Sequence, residues 1–222
     1  MMLRWTLVTT WTFCCWILSI NASAQQGKDH LVPTEGIFTS YSHEQAYYSR
    51  VGDVLLAGLT DSPLARVVVL PSFSPEYVLS LEQRAAKYYL TYRICQTRVW
   101  SNYEKTPAIR IQVNTTTVEL SKPAALLVAK AFKQAIAKTR YPAPSKYHDN
   151  GSDGTSYHFS HFQLGIGLRG GQTWSPEKGS KMSDLVALTT TLNKVAAAPT
   201  DAKIQITLTK QAQLLIVRLT KE

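Results

Sequence analysis

Between positions 148 and 161 the chain carries three histidines and two aspartates: His148, Asp149, Asp153, His158 and His161. Such residues can ligate zinc or serve as acid and base in a hydrolase. Their spacing argues against a metal site. Histidines three apart on a strand face opposite ways, and the helical H-E-x-x-H frame is absent. Cross-strand or surface histidines are the simpler reading. Asp153, His158 and His161, with Trp174 nearby, remain the candidates for a cell-envelope hydrolase site within residues 148–174, and none is assigned a catalytic role.

Other chemistries are weaker still. Gly165-Ile166-Gly167-Leu168-Arg169-Gly170 spells G-x-G-x-x-G, but Gly171, Gln172 and Thr173-Trp174-Ser175-Pro176 follow where a phosphate cradle needs a helix. These glycines read as hairpin punctuation, and no cofactor is implied. Cys95 sits in an apolar strand pattern, as a buried structural thiol would. No G-x-S-x-G, S-x-x-K, C-x-x-C or P-loop pattern occurs. Glu76 and Glu82 read as strand-edge charges.

Two binding surfaces suggest themselves. Tyr88, Tyr89, Tyr92, Trp100 and Tyr103 interleave with Lys87, Arg93, Arg98 and Lys105 along two expected strands, a pattern that packs a sheet or presents stacking faces. Lys130, Lys133 and Lys138 lie on the polar circumference of an expected helix with no acid between Lys122 and Lys146. That face is either simply solvated or a seat for an anionic partner. An anionic envelope component or a protein fits these surfaces better than nucleic acid, which an exported chain seldom meets.

Export is read from the first 24 residues. Arg4 precedes an apolar run from Trp5 to Ile20, and Ala22-Ser23-Ala24 forms a small-x-small cleavage site. The run is shorter than the roughly 20 residues of a membrane span. Cleavage would leave no transmembrane segment and a single cysteine, Cys95, which excludes an internal disulfide framework. The formal net charge of +9 falls to +8 when Arg4 is removed. A periplasmic or extracellular binding domain is therefore expected, with the hydrolase as alternative.

The elements that must position these groups centre on residues 150–180. Asn150-Gly151 and Asp153-Gly154 predict a turn into a strand over Thr155–Phe162, with Tyr157, Phe159 and His161 on one face and His158, Ser160 and Phe162 on the other. Gly165, Gly167, Gly170 and Gly171 predict a loose second turn. Trp174 is the expected buried anchor, and Gly154, Tyr157 and Phe159 share its structural role. The order Asp153-Gly154-Thr155-Ser156-Tyr157-His158-Phe159, then Thr173-Trp174-Ser175-Pro176 and Gly179-Ser180-Lys181, resembles a loose group of uncharacterised bacterial exported proteins. Pro71-Ser72-Phe73-Ser74-Pro75-Glu76-Tyr77 is similar to a segment of the same group. The resemblance implies export and a common fold, and no activity.

Along the chain, residues 25–40 read as a fraying tail, Ser42–Leu59 as a helix, and Ala65–Leu70 as a buried strand. Tyr77–Leu81, Lys87–Cys95, Arg98–Tyr103 and Ile109–Leu120 predict an antiparallel meander. Ser121 should cap a helix from Lys122 to Arg140, with Ala124, Val128, Ala131, Phe132, Ala135 and Ile136 inward. Ser180 or Ser183 caps another through Ala198. Lys203–Thr209 and Leu214–Leu219 predict a C-terminal hairpin. The sum is one α+β domain over 41–222: an antiparallel sheet of meander plus hairpin, with two amphipathic helices on one face.

Overall fold

The meander grows from runs within residues 77–120 that alternate apolar and polar side chains, beside an unbroken apolar run at 65–70, so that each strand pairs with the one before it. The computed structural model describes residues 29–38, 44–105, 110–141 and 153–221. Strands β1 (Val32–Thr34), β2 (Ala65–Pro71), β3 (Tyr77–Arg84), β4 (Lys87–Cys95), β5 (Val113–Leu120), β6 (Thr155–Gln163) and β7 (Gly167–Trp174) make one antiparallel sheet. Its order is β1-β7-β6-β2-β3-β4-β5. The helices are α1 (Gln45–Leu55), α2 (Lys122–Ala137), α3 (Lys181–Ala197) and α4 (Ala202–Thr220), so the fold is α+β.

Strand parity divides the interior in two. Val67 and Val69 of β2 join Leu79, Leu81, Leu90 and Phe159 in a cluster with the apolar stripes of α2, α3 and α4. Val68 and Leu70 join Val78 in a second cluster with Tyr47, Val51 and Leu55 of α1. β2 is thus apolar on both sides, which explains its unbroken Val-Val-Val-Leu run. Every residue of the expected α2 stripe is buried. Phe132 and Phe159 meet edge to face at 5.3 Å.

The C-terminal hairpin does not exist: residues 202–220 are the helix α4, which lies against α2 and α3. Ile204, Ile206 and Leu208 alternate like a strand, but Leu208, Ala212, Leu215, Ile216 and Leu219 form a helical stripe, and all five are buried. The Asp201 carboxylate accepts from the Lys203 and Ile204 N–H groups, satisfying two donors of the first turn. Thr207 and Thr209 donate back to the carbonyls four residues earlier, which satisfies the hydroxyls that a β-rich composition brings into the helix.

Other expectations also change. Arg98–Tyr103 is a turn, with Asn102 N–H donating to the Val99 carbonyl, so the aromatic and basic residues do not share two strands. Residues 29–38 are packed rather than frayed: Leu31 is fully buried, and β1 pairs with β7. Ser121 opens α2 without a side-chain cap, whereas Ser180 opens α3 by accepting from Ser183 N–H. Gly167, Gly170 and Gly171 lie within β7 instead of a loose turn. A Cβ on Gly171 would stand 2.7 Å from Thr139 Cγ2 and 2.9 Å from Leu31 Cβ, so glycine lets α2 and the β1 segment close on the sheet. Residues 1–24, His148, Asp149 and Asn150-Gly151 lie outside the described residues.

Candidate functional site

Glu76 is the residue from which the site is built. Expected at a strand edge, it is fully buried at the entry to β3. Its Oε2 accepts from Val99 N–H at 2.7 Å; Oε1 accepts from Trp100 N–H at 2.9 Å and from the Tyr47 hydroxyl at 3.1 Å. One carboxylate therefore joins α1 to the 98–103 turn, and three donors satisfy its charge where water cannot. Burial, then the Glu76 charge, holds the Tyr47 hydroxyl well above the ordinary tyrosine range. The same two causes, in the same order, push the Cys95 thiol up to about 12. Cys95 is therefore protonated and buried, without the thiolate a nucleophile requires. Glu82, also expected at an edge, is buried and ion-paired to Arg84.

The turn held by Glu76 carries an aromatic cluster. Tyr47 meets Trp100 edge to face at 4.9 Å, and Tyr103 stands 5.6 Å from Tyr47 and 5.5 Å from Trp100. Trp100 keeps 47% of its surface exposed. A second wall comes from two linked loops. Ser72 N–H donates to the Gly154 carbonyl at 2.9 Å and Gly154 N–H donates to Ser72 Oγ at 3.1 Å, which brings Phe73 beside Asp153. A Cβ on Gly154 would lie 2.6 Å from two carbons of the Trp174 indole, so glycine is what seats that ring.

Between these walls lies a cleft of about 630 Å³. Tyr47, Tyr48, Phe73, Trp100 and Trp174 line it, with Arg98, Glu44, Asp153, Ser156, Gln172 and Thr173 as its polar groups. Trp174, the expected buried anchor, is 46% exposed, and Phe73 is 75% exposed. Among the described residues the Nε of Arg98, a buried atom, has no hydrogen-bond partner. Exposed rings beside a few convergent polar groups are the composition of a ligand site.

The expected site residues divide among several places. Arg98, Trp100, Asp153 and Trp174 line the cleft, and Tyr103 supports it from behind Trp100. Arg93 is committed elsewhere: it donates to the Leu55 and Ala57 carbonyls at the end of α1, at 3.2 and 2.6 Å. Lys130 and Lys133 are exposed on α2 and Lys138, just past its end, is half-buried; the apolar side of α2 joins the cluster opposite α1. Phe159 and Tyr157 are structural, the first fully buried and the second packed against the same cluster.

His158 and His161 do not converge. His158 faces α1, where Phe38 and Tyr48 flank its ring at 5.2 and 5.7 Å. Burial pushes its pKa down to about 4; the Ile37 carbonyl opposes this but stands outside hydrogen-bond geometry, and neither ring nitrogen has a partner among the described residues. His161, three residues on, has its Nδ1 3.2 Å from the Phe162 carbonyl oxygen, and burial, then Lys133 and Arg169, lower its pKa. Among the described residues, no three His, Cys, Asp or Glu side chains form a metal-holding group.

Sequence reasoning missed Glu76, Tyr47, Tyr48, Glu44 and Phe73 as parts of one site. Phe73 carried a signal, because a large aromatic between Ser72 and Ser74, bounded by Pro71 and Pro75, has no strand or helix in which to hide. Glu76 carried none. Comparison with family models, with curated proteins and with solved structures finds no match.

Proposed function

We propose that this chain is an exported, non-catalytic domain that binds a cell-envelope component, a glycan bearing anionic groups, in the cleft between α1 and the strand ends that carry Ser156 and Trp174. One observation carries the reading: Phe73, Trp100 and Trp174 expose their rings around a single cavity that also holds Arg98. The apolar faces of sugar rings stack on such side chains, and a guanidinium, with its fork of N–H donors, suits a carboxylate or phosphate. Ser156, Gln172 and Thr173 supply hydroxyl and amide partners along the floor. Export rests on the leader-like first 24 residues.

The test is calorimetric titration of the purified protein with acidic and neutral envelope oligosaccharides. Acidic fragments should bind, and Trp174→Ala should weaken them at least about tenfold, or about 1.4 kcal/mol, while moving the melting temperature little. Equal binding by wild type and Trp174→Ala would remove the cleft from the account. New reducing ends in the titration cell would instead identify the hydrolase alternative, with Asp153 as the first acid to replace.

A further inference from the structure

The opposite end of strands β6 and β7 from the cleft carries a different feature. The β6–β7 turn is closed by Ile166 N–H donating to the Gln163 carbonyl at 3.0 Å, with Gly165 at φ 80° and Gly167 at φ 101°. Leu164 at its tip is 90% exposed, Ile166 is 61% exposed, and Phe162 at its base is also exposed. The tip is not a loose end. β6 pairs with β2 through Ser160 and with β7 through Gln163, and Phe159, three residues before Phe162, is fully buried. Three apolar side chains are thus held in water on a rigid stalk, at a cost of about 25 cal/mol per Å² of apolar surface.

The charges around the tip are mainly basic. Arg169 of β7 pairs across the hairpin with His161, and both it and Lys133 of α2 act on His161 electrostatically, so the two cations stand at the base of the turn on the α2 side of the sheet, opposite to the side Phe162 faces. Register places the β3–β4 turn at this same end of the sheet, where Arg84 and Lys87 occupy Glu82 and Glu119 in ion pairs. Asp61, two residues before the Pro63 carbonyl that accepts from Phe162 N–H, is an acid of the neighbourhood, and it acts on Arg66.

We propose that the β6–β7 tip is a membrane-interface anchor. In it Phe162, Leu164 and Ile166 enter the headgroup and upper acyl region of an anionic phospholipid bilayer, and Lys133 and Arg169 meet the lipid phosphates. Size selects this occupant over a second protein. A three-residue projection is far below the roughly 1,200 Å² of a specific protein interface. Apolar side chains with flanking cations are, however, the combination that holds a protein at an anionic membrane surface. No helix among the described residues is long and apolar enough to cross a membrane. The β2 strand runs from this end to the cleft, about 20 Å away at roughly 3.3 Å per residue, so an anchored molecule presents its cleft away from the lipid.

Co-sedimentation of the purified protein with vesicles of phosphatidylcholine alone, and of phosphatidylcholine with one quarter phosphatidylglycerol, tests this. The protein should pellet with the anionic vesicles and be released by salt. Leu164→Ser/Ile166→Ser should keep the wild-type melting temperature and lose at least about tenfold in partitioning, and Lys133→Glu/Arg169→Glu should lose the preference for phosphatidylglycerol. Failure of the wild type to pellet, equal pelleting with neutral vesicles, or unchanged partitioning of the serine variant each overturns the anchor. Concentration-dependent dimerisation abolished by the serine variant, without vesicle binding, would overturn it in favour of a second copy of this chain.

Discussion

Replacing Glu76 with glutamine changes one atom and tests the node that assembles the cleft. The carboxylate accepts three hydrogen bonds inside the protein, from Val99 N–H, Trp100 N–H and the Tyr47 hydroxyl. A glutamine oxygen at the Oε1 position retains the last two as weaker neutral bonds and turns its NH₂ toward Val99 N–H, donor against donor. Losing a bond to a charged acceptor is worth about 1.5–3 kcal/mol, and a stranded buried donor costs about 1–3 kcal/mol. Relief from burying a charge offsets part of this. The expected net loss is about 2 kcal/mol, which lowers the melting temperature by about 4–8 °C in a chain of this size. Glu76→Ala strands all three donors beside a void and should cost about 3–5 kcal/mol. Differential scanning calorimetry measures both, and limited trypsin digestion should cut the variants after Arg98 or Lys105 sooner than wild type. A Glu76→Gln protein with unaltered melting and an unaltered digest would refute the node.

Two further outcomes follow from buried geometry. His158 holds a folded pKa of about 4 against an ordinary 6.5, so the folded state binds fewer protons between those values; its contribution is fully present above pH 6.5 and is lost as pH falls toward 4. Linkage puts the loss at about 3 kcal/mol. Urea melts should show the wild type falling below His158→Phe across that window, and parallel curves would show that the ring is not buried neutral. At Gly170, a Cβ would collide with the Gly36 carbonyl oxygen and lie 2.5 Å from Thr34 Oγ1. Gly170→Ala should cost about 1–3 kcal/mol and accelerate amide exchange in β1 before the rest of the sheet; protected β1 amides would contradict that.

Much of the sheet was legible because period-two patterning survives wherever one face meets a core. Lys87–Cys95 matches β4 to the residue, and the split of Phe159 from His158 follows from alternation alone. The α2 stripe was equally plain. Residues 202–220 misled because Ile204, Ile206 and Leu208 fit both periods, and only packing against α2 and α3 selects the helical one. The cleft was half legible. Arg98, Trp100, Asp153 and Trp174 drew notice by type, but nothing local reveals that Glu76 brings the 98–103 turn to α1, since the bonds span 23 to 29 positions. Trp174 misled because size suggested an anchor, whereas its neighbour Gly154 gives the indole a shelf at the surface.

The pairing of β1 with β7 has a temporal consequence. Val32 meets Gln172, about 140 positions later in the chain, and no nearer strand takes its place. Closing so long a loop is entropically slow, so the edge formed by β7 stays open until β1 arrives. Gly170 and Gly171 leave that edge without side chains to guard it. A chain interrupted at this stage would therefore expose a bare strand edge competent to pair with another molecule, and the short β1 acts as the molecule's own protection against self-association.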